Sequence, residues 1–232
     1  MENFRFVGTS HVAEQSIKEV TKAFQDEKPD ILALELDKRR FFALVSSQKG
    51  KEVGEKPRIR DVGFKGYLFF LFGHFIQKKI GEKLGISPGA EMKIAVEKAK
   101  EHKLKIALID RDIQLTLQSL SKNITWKEKW TFLKDIVKGL FGFNEGLPRN
   151  IDLSKVPDDE LVSQLLIVVK EKYPGMYRAL VEERNEIMAK NLAVIRMKEP
   201  NAKVLVIIGA GHKQGLIEEL ERKLNNQIYI AG

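Results

Sequence analysis

Four short segments carry most of the side chains that could do chemistry: Gly8-Thr9-Ser10-His11, Glu35 with Asp37, Asp110-Arg111-Asp112, and Gly209-Ala210-Gly211-His212. The pattern GxxH thus occurs twice. Two neutral imidazoles with one or more carboxylates would suit Zn²⁺, Mn²⁺ or Co²⁺, with a water in the open position. Such an ion lowers the pKa of its water and makes it nucleophilic. A carboxylate alongside could take the proton, and an arginine could hold a substrate carboxylate or stabilise a developing oxyanion. The same residues also allow metal-free chemistry with one histidine as general base, and composition does not separate the two.

Each segment alone has a plainer reading. Glycine after a strand is ordinary turn chemistry, and a lone histidine there commonly serves a hydrogen bond or a helix entry. Glu35 and Asp37 could complement a helix dipole, and Asp110-Arg111-Asp112 could be a local salt-bridge cluster. The repetition of GxxH directly after strands tips the balance, because glycine permits close backbone approach and the helix-start amides point to the same place. Two rival motifs fit poorly. Gly209-x-Gly211 with Gly215 departs from the GxGxxG spacing and lacks the acidic residue expected about 20 positions later. Ser10 beside His11 has no GxSxG elbow around it.

The elements that must position these residues are legible from periodicity. Phe4–Val7 reads as a strand that stops at Gly8, and Ile17, Val20 and Phe24 mark one face of the helix that follows. The continuous apolar run Ile31–Leu34 suits a strand buried on both faces of a parallel sheet. A helix from Lys38 to about Gln48 gives way to a polar, glycine-bearing loop over 49–60. An aromatic, helical segment over 63–85 follows, then a turn at Ser87-Pro88-Gly89 and an amphipathic helix to about His102. Lys105–Ile109 is a third strand. Helices dominate from about Gln114 to Lys198, with breaks at Gly142–Pro148 and near Pro174-Gly175. Lys203–Ile208 is a fourth strand, a helix starts at Lys213, and Gln227–Ala231 reads as a last strand. The expected fold is one α/β domain over 1–232, a mostly parallel central sheet with helices on both faces and a long helical insertion at about 114–198. All four chemical segments then follow strands at one rim, where open α/β sheets bind ligands.

Composition narrows the classes of function. The 232 residues carry a net charge of +8, spread along the chain rather than gathered in a tail. No basic stripe interleaved with aromatics is present, so nucleic acid is not an expected partner. The absence of cysteine excludes disulfides, thiolate ligands and a cysteine nucleophile, and is consistent with a reducing compartment. A core strand beginning at Phe4 leaves no room for a signal peptide, so a cytosolic location is expected. The apolar stretch Tyr67–Ile76 falls short of the roughly 20 residues of a membrane helix.

Beyond the four segments, Gly89-Ala90-Glu91-Met92, Leu108–Ile113 with Thr116-Leu117, and Glu183-Arg184-Asn185 followed by Met188 complete a series. In this order the series resembles the TraB family, the pheromone-shutdown proteins related to the Tiki metalloproteases. The resemblance implies a fold shared with Tiki proteases, erythromycin-esterase-like (EreA) enzymes and haem-binding ChaN-like proteins, with both GxxH histidines facing one cleft. It implies His11 and His212 as metal ligands or catalytic bases, Glu35 as a further ligand, and Glu35 and Glu91 as acidic partners. Arg111 and Arg184 would be positioning or oxyanion groups and Glu183 a support, while Gly8, Gly209 and Gly211 let the backbone approach the bound group. The activity implied is that of a divalent-metal-dependent hydrolase (Mn, Co or Zn), a peptidase on small or extended peptides such as signalling peptides. The alternatives are a module that sequesters a peptide, haem or other small molecule without turnover, and a membrane-associated scaffold. Archaeal relatives continue into membrane-spanning segments, which would put this domain at the cytoplasmic face of a membrane. The segments 63–80 and 139–147 would then pack in the core, against lipid, or against a second subunit of a homo-oligomer.

Overall fold

The computed structural model describes residues 2–9, 13–47, 60, 67, 89–140 and 159–231. The loop over 49–60, the aromatic segment 63–85 and the break at 142–148 lie outside them, apart from Arg60 and Tyr67. Strand β1 (Phe4–Thr9) leads to α1 (Ala13–Glu27), β2 (Ile31–Leu34) to α2 (Lys38–Ser47), and α3 (Ala90–Glu101) to β3 (Lys105–Leu108). A helical excursion follows, with α4 (Ile113–Asn123), α5 (Trp126–Leu140), α6 (Asp159–Lys172) and α7 (Pro174–Tyr177). A π-helical turn over Arg178–Glu182 joins α7 to α8 (Glu183–Lys198), and β4 (Val204–Gly209) and α9 (Ala210–Ala231) complete the described chain.

The strands form a parallel sheet in the order β1-β4-β2-β3. Side chains alternate between faces along a strand, and both faces here are apolar. Leu32, Leu34, Leu205 and Ile207 pack with Val20 and Phe24 of α1 and with Met92 and Val96 of α3. Ile31, Ala33, Val204, Val206 and Ile208 pack on the other side with Met188 and Leu192 of α8 and with Leu216 and Leu220 of α9. The continuous apolar runs in β2 and β4 follow from that double coverage. A smaller cluster seats α4, through Leu117 and Leu120 with Ile124 just beyond its end, on Ala179 of the π turn.

Apart from shifts of one residue at the ends of β3 and β4, three features differ from the sequence reading. Gly8 lies within β1, paired with Ile208, rather than after it. The helix expected from Lys213 begins at Ala210, so His212 stands in the first turn of α9. Gln227–Ala231 is not a strand but the end of the same helix. Asn225-Asn226 supplies neither proline nor a glycine cap to stop α9, and the local strand preference of Ile228-Tyr229-Ile230 is a weak prior that context overrides. Among the described residues no helix is long and apolar enough to cross a membrane.

The excursion is anchored by a capping box at Thr125 and Glu128. Glu128 accepts from the Thr125 amide at 2.8 Å and reaches across to the Gly175 amide at 2.6 Å. A Cβ on Gly175 would lie 2.2 Å from the Asn123 carbonyl oxygen, a backbone atom that cannot step aside alone. Gly175→Ala should therefore lower stability by about 2–3 kcal/mol through overpacking. The check is a fall of about 4–12 °C in Tm, and an unchanged Tm would refute the close packing of α7 on α4.

Candidate active site at the sheet rim

Strands β2, β3 and β4 end side by side, and residues at or just beyond each end contribute to one buried cluster. Glu35 follows β2, Asp110 closely follows β3, and Gly209 ends β4, with His212 one turn into α9. The fourth component comes from the excursion. The π turn ends at Glu182, and successive residues of α8 then point about 100° apart, so Glu183, Arg184 and Asn185 serve three different neighbours. π turns inside α-helices recur at functional sites.

Arg184 is the hub. Its Nε and Nη2 donate to the two oxygens of Asp110 at 3.1 and 2.7 Å, and Nη2 also donates to Glu35. Nη1 lies 2.8 Å from Nε2 of His212 and donates to the Leu180 carbonyl at 3.3 Å. The other Glu35 oxygen accepts from the Gly209 amide at 2.5 Å, which seats a carboxylate on the N-terminus of α9. Arg40 of α2 donates from Nη1 to Asp110 at 2.9 Å. Asp37 caps α2 by accepting from the Arg40 amide at 2.9 Å.

A guanidinium has only donors, so Nε2 of His212 must be the acceptor in its contact with Arg184. The ring proton then sits on Nδ1, which donates to Asn185 Oδ1 at 2.7 Å. This is the arrangement in which a second residue fixes the tautomer of a functional histidine. Burial, together with the Arg184 charge, lowers the His212 pKa from its ordinary value even though Glu35 faces it. Burial alone would raise the Glu35 carboxyl, but the Arg184 charge and the Gly209 amide hold it below the usual carboxylate value. Asp110 is likewise held low against its burial, by hydrogen bonds and charge from Arg184 and by the charge of Arg40.

Of the residues singled out from sequence, the structure brings Glu35, Asp110, Arg184, His212 and the Gly209 backbone together. Arg111 and Glu183 form a separate, adjoining cluster. Arg111 donates to Glu183 at 2.8 Å, to Thr116 Oγ1 at 2.9 Å and to the Leu115 carbonyl at 3.0 Å, while Glu183 also accepts from Ser119 and Asn123. All three nitrogens of Arg111 thus donate to protein. Asp112 caps α4 by accepting from the Gln114 amide at 2.8 Å. Glu91 is buried in the first turn of α3. A Cβ on Gly8 would meet the Ala210 Cα at 3.2 Å, so its role is to admit the first turn of α9, and Gly211 stands near Leu166 of α6. His11 lies outside the described residues.

His212 Nε2 and Glu35 Oε1 are 3.4 Å apart, about the separation of neighbouring ligands on one Zn²⁺. The Arg184 guanidinium donates to these same two atoms, and a divalent ion cannot share that position with it. Among the described residues no three His, Asp or Glu side chains are placed to hold an ion. As arranged, the described donor set fits a guanidinium and does not fit a metal.

Asn185, Asp110 and Arg40 were given no individual role by the sequence, and Gly215 was weighed only as part of a nucleotide turn. The available signal was adjacency: Asn185 follows Arg184, and Asp110 opens a charged run after a strand. Gly215 matters because a Cβ there would come within 2.6 Å of Asn185 Nδ2. The amide can swing away, so Gly215→Ala should cost only about 1 kcal/mol of stability while depriving the imidazole of its acceptor. The ¹⁵N shifts of His212 should then move from the Nδ1–H tautomer toward a mixture. An unchanged pattern would rule out Asn185 as the orienting group.

Known proteins match this chain over its full rim-forming region. The model of the TraB/PrgY/gumN family matches residues 2–224. An uncharacterized protein of Methanocaldococcus jannaschii is 38% identical over 222 residues, covering 95% of this chain and 53% of that protein. TraB domain-containing proteins of Mus musculus and Homo sapiens are 25% and 24% identical over 243 residues, covering 95% of this chain and 63% of theirs. This chain therefore spans between about half and two thirds of the length of these relatives. The family match runs from β1 through most of α9 and takes in every residue of the cluster, so the chain belongs to the TraB/PrgY/gumN family.

Proposed function

We propose that the chain is a hydrolase acting on small or extended peptides, with the rim as its site and His212 as general base. The observation that carries the reading is the His212 tautomer, set by Asn185 on one side and presenting the Nε2 lone pair to Arg184 and Glu35 on the other. In this reading Nε2 takes a proton from water as the water oxygen bonds to the peptide carbonyl carbon. Arg184, whose Nη1 is thereby freed, stabilises the oxyanion. Collapse of the tetrahedral species breaks the C–N bond, and His212 returns the proton to the leaving amine. Glu35 and Asp110 hold Arg184 in place. The choice of peptides rests on the resemblance to pheromone-shutdown proteins and Tiki proteases. The metal dependence anticipated on His11, His212 and Glu35 is given no step, because Arg184 stands between His212 and Glu35. Cytosolic placement belongs to the same proposal and rests on the cysteine-free sequence.

A second reading, capture of a peptide or other small ligand without turnover, is favoured by the internal pairing of the cluster, in which Arg184 already has an acceptor on each of its three nitrogens. One experiment decides between them. Purified chain is incubated with a peptide library and the products are read by mass spectrometry, with His212→Ala as control. Cleavage over many turnovers by the unaltered chain alone establishes the hydrolase. Stoichiometric retention of a peptide with no product would establish capture instead.

A further inference from the structure

We propose that Arg184 is the resident cation of this rim, and that its guanidinium keeps divalent metal ions off His212 and Glu35. The inference rests on reading the rim as the functional site, but not on turnover. Three acceptor atoms from three separate segments of the chain converge on the two terminal nitrogens of this one side chain. They are His212 Nε2 at 2.8 Å, Asp110 Oδ2 at 2.7 Å, and Glu35 Oε1. An imidazole lone pair and two carboxylates are the donor types that a borderline metal ion selects. Here they are spent on a planar fork whose geometry matches carboxylates closely.

The charge count points the same way. Glu35 and Asp110 are balanced by Arg184 and Arg40, and His212, whose Nε2 accepts from Arg184 and is therefore neutral, adds nothing. Among the described residues the cluster is therefore neutral with no added ion. A divalent ion entering beside Arg184 would place two further positive charges in a buried site, a cost that its ligands cannot offset while they serve the guanidinium. Removing Arg184 reverses the situation. The remaining side chains carry one net negative charge, His212 Nε2 has lost its donor, and Glu35 Oε1 stands 3.4 Å from it with an oxygen freed. The position vacated is then suited to a cation in both charge and ligand type. Arg184 thus acts on the site's metal selectivity as well as on the orientation of its neighbours.

The experiment is calorimetric titration of chelator-treated full chain with Mn²⁺, Co²⁺ and Zn²⁺. Because Arg184→Met leaves two buried carboxylates short of a partner and could fail to fold, it is paired with the double variant Asp110→Asn/Arg184→Gln. That variant removes one charge of each sign and keeps Glu35 and His212. The quantity read is the affinity that disappears when His212→Ala is added to each background, which isolates this site from any ion bound elsewhere. The expected result is a His212-dependent affinity at least about tenfold tighter in the Arg184 variants than in the unaltered chain, about 1.4 kcal/mol. A rise in Tm on adding the ion should accompany it in the variants alone. His212-dependent binding that is as tight in the unaltered chain, or no His212-dependent gain in the double variant, overturns the proposal. Peptide cleavage is not read here, so failure of the hydrolase reading and failure of this one would be seen in different measurements.

Discussion

Arg184→Met should lower the stability of this protein by about 3–5 kcal/mol at neutral pH, the cost of breaking a buried ion-pair network from one side. For a chain of this size that is a fall of roughly 6–20 °C in Tm. The side chain of Asp110 is 2% exposed and that of Glu35 9%, so neither can recover its lost partner from solvent. The pH dependence gives the loss its signature. Both carboxyls titrate below their ordinary values of 3.8 and 4.5 in the folded state. The stability they contribute is fully present above those ordinary values and is lost as pH falls through the lowered folded ones. Without Arg184 both carboxyls should titrate higher in the folded state, so the gap between the two proteins should be widest near pH 7 and close toward pH 3. Denaturant unfolding of both proteins at several pH values tests this. A gap that stays constant with pH would mean that the loss comes from packing, and a gap below about 0.5 kcal/mol would remove Arg184 as the hub.

His212→Ala should reduce kcat/KM for a cleaved peptide by about 10²–10⁴-fold, the range over which a positioned base acts. The pH profile separates a base from a merely structural histidine. Burial and the Arg184 charge lower the His212 pKa, so the acid limb of kcat/KM in the free enzyme should fall below the ordinary 6.5 for an imidazole, and Arg184→Lys should shift it. The same histidine has a stability consequence of fixed sign. The unfolded chain takes up a proton as pH drops through 6.5 while the folded chain does not, so stability declines as pH falls below that value, at up to about 1.4 kcal/mol per pH unit. Replacing His212 should flatten that slope. An acid limb that is unmoved by Arg184→Lys, with wild-type kcat/KM in His212→Ala, would move the chemistry elsewhere on the rim.

Much of the frame was legible because it depends on short-range patterns. The unbroken apolar runs Ile31–Leu34 and Val204–Ile208 suit strands covered on both faces, and they are the two inner strands of the sheet. Segments at the strand ends pointed to the rim for the same reason. Which residues of those segments meet was not legible, since that depends on turns of helix that periodicity does not count. The Asp110-Arg111-Asp112 run illustrates this. Its three members look alike in sequence, yet Asp110 binds the hub, Arg111 faces Glu183, and Asp112 caps a helix. Likewise Glu183, Arg184 and Asn185 are neighbours in sequence, while in the fold they serve three different partners after the π turn. The end of α9 was misread because Ile-Tyr-Ile carries a strand preference that three residues of context could not correct.

The order of strands bears on how the molecule comes off the ribosome. The fourth strand lies between the first and second, and β1 pairs with β4 alone among the described strands. Until residues beyond 204 emerge, the first described strand has no strand partner among the described residues, and the two halves of the described sheet are not joined. Contacts between residues some 200 positions apart close slowly, because the loop entropy is spent before the pairing rewards it. Completion of the described sheet therefore waits on β4, and a chain cut short before β4 would leave β1 unpaired among the described strands and β2 paired on one side only.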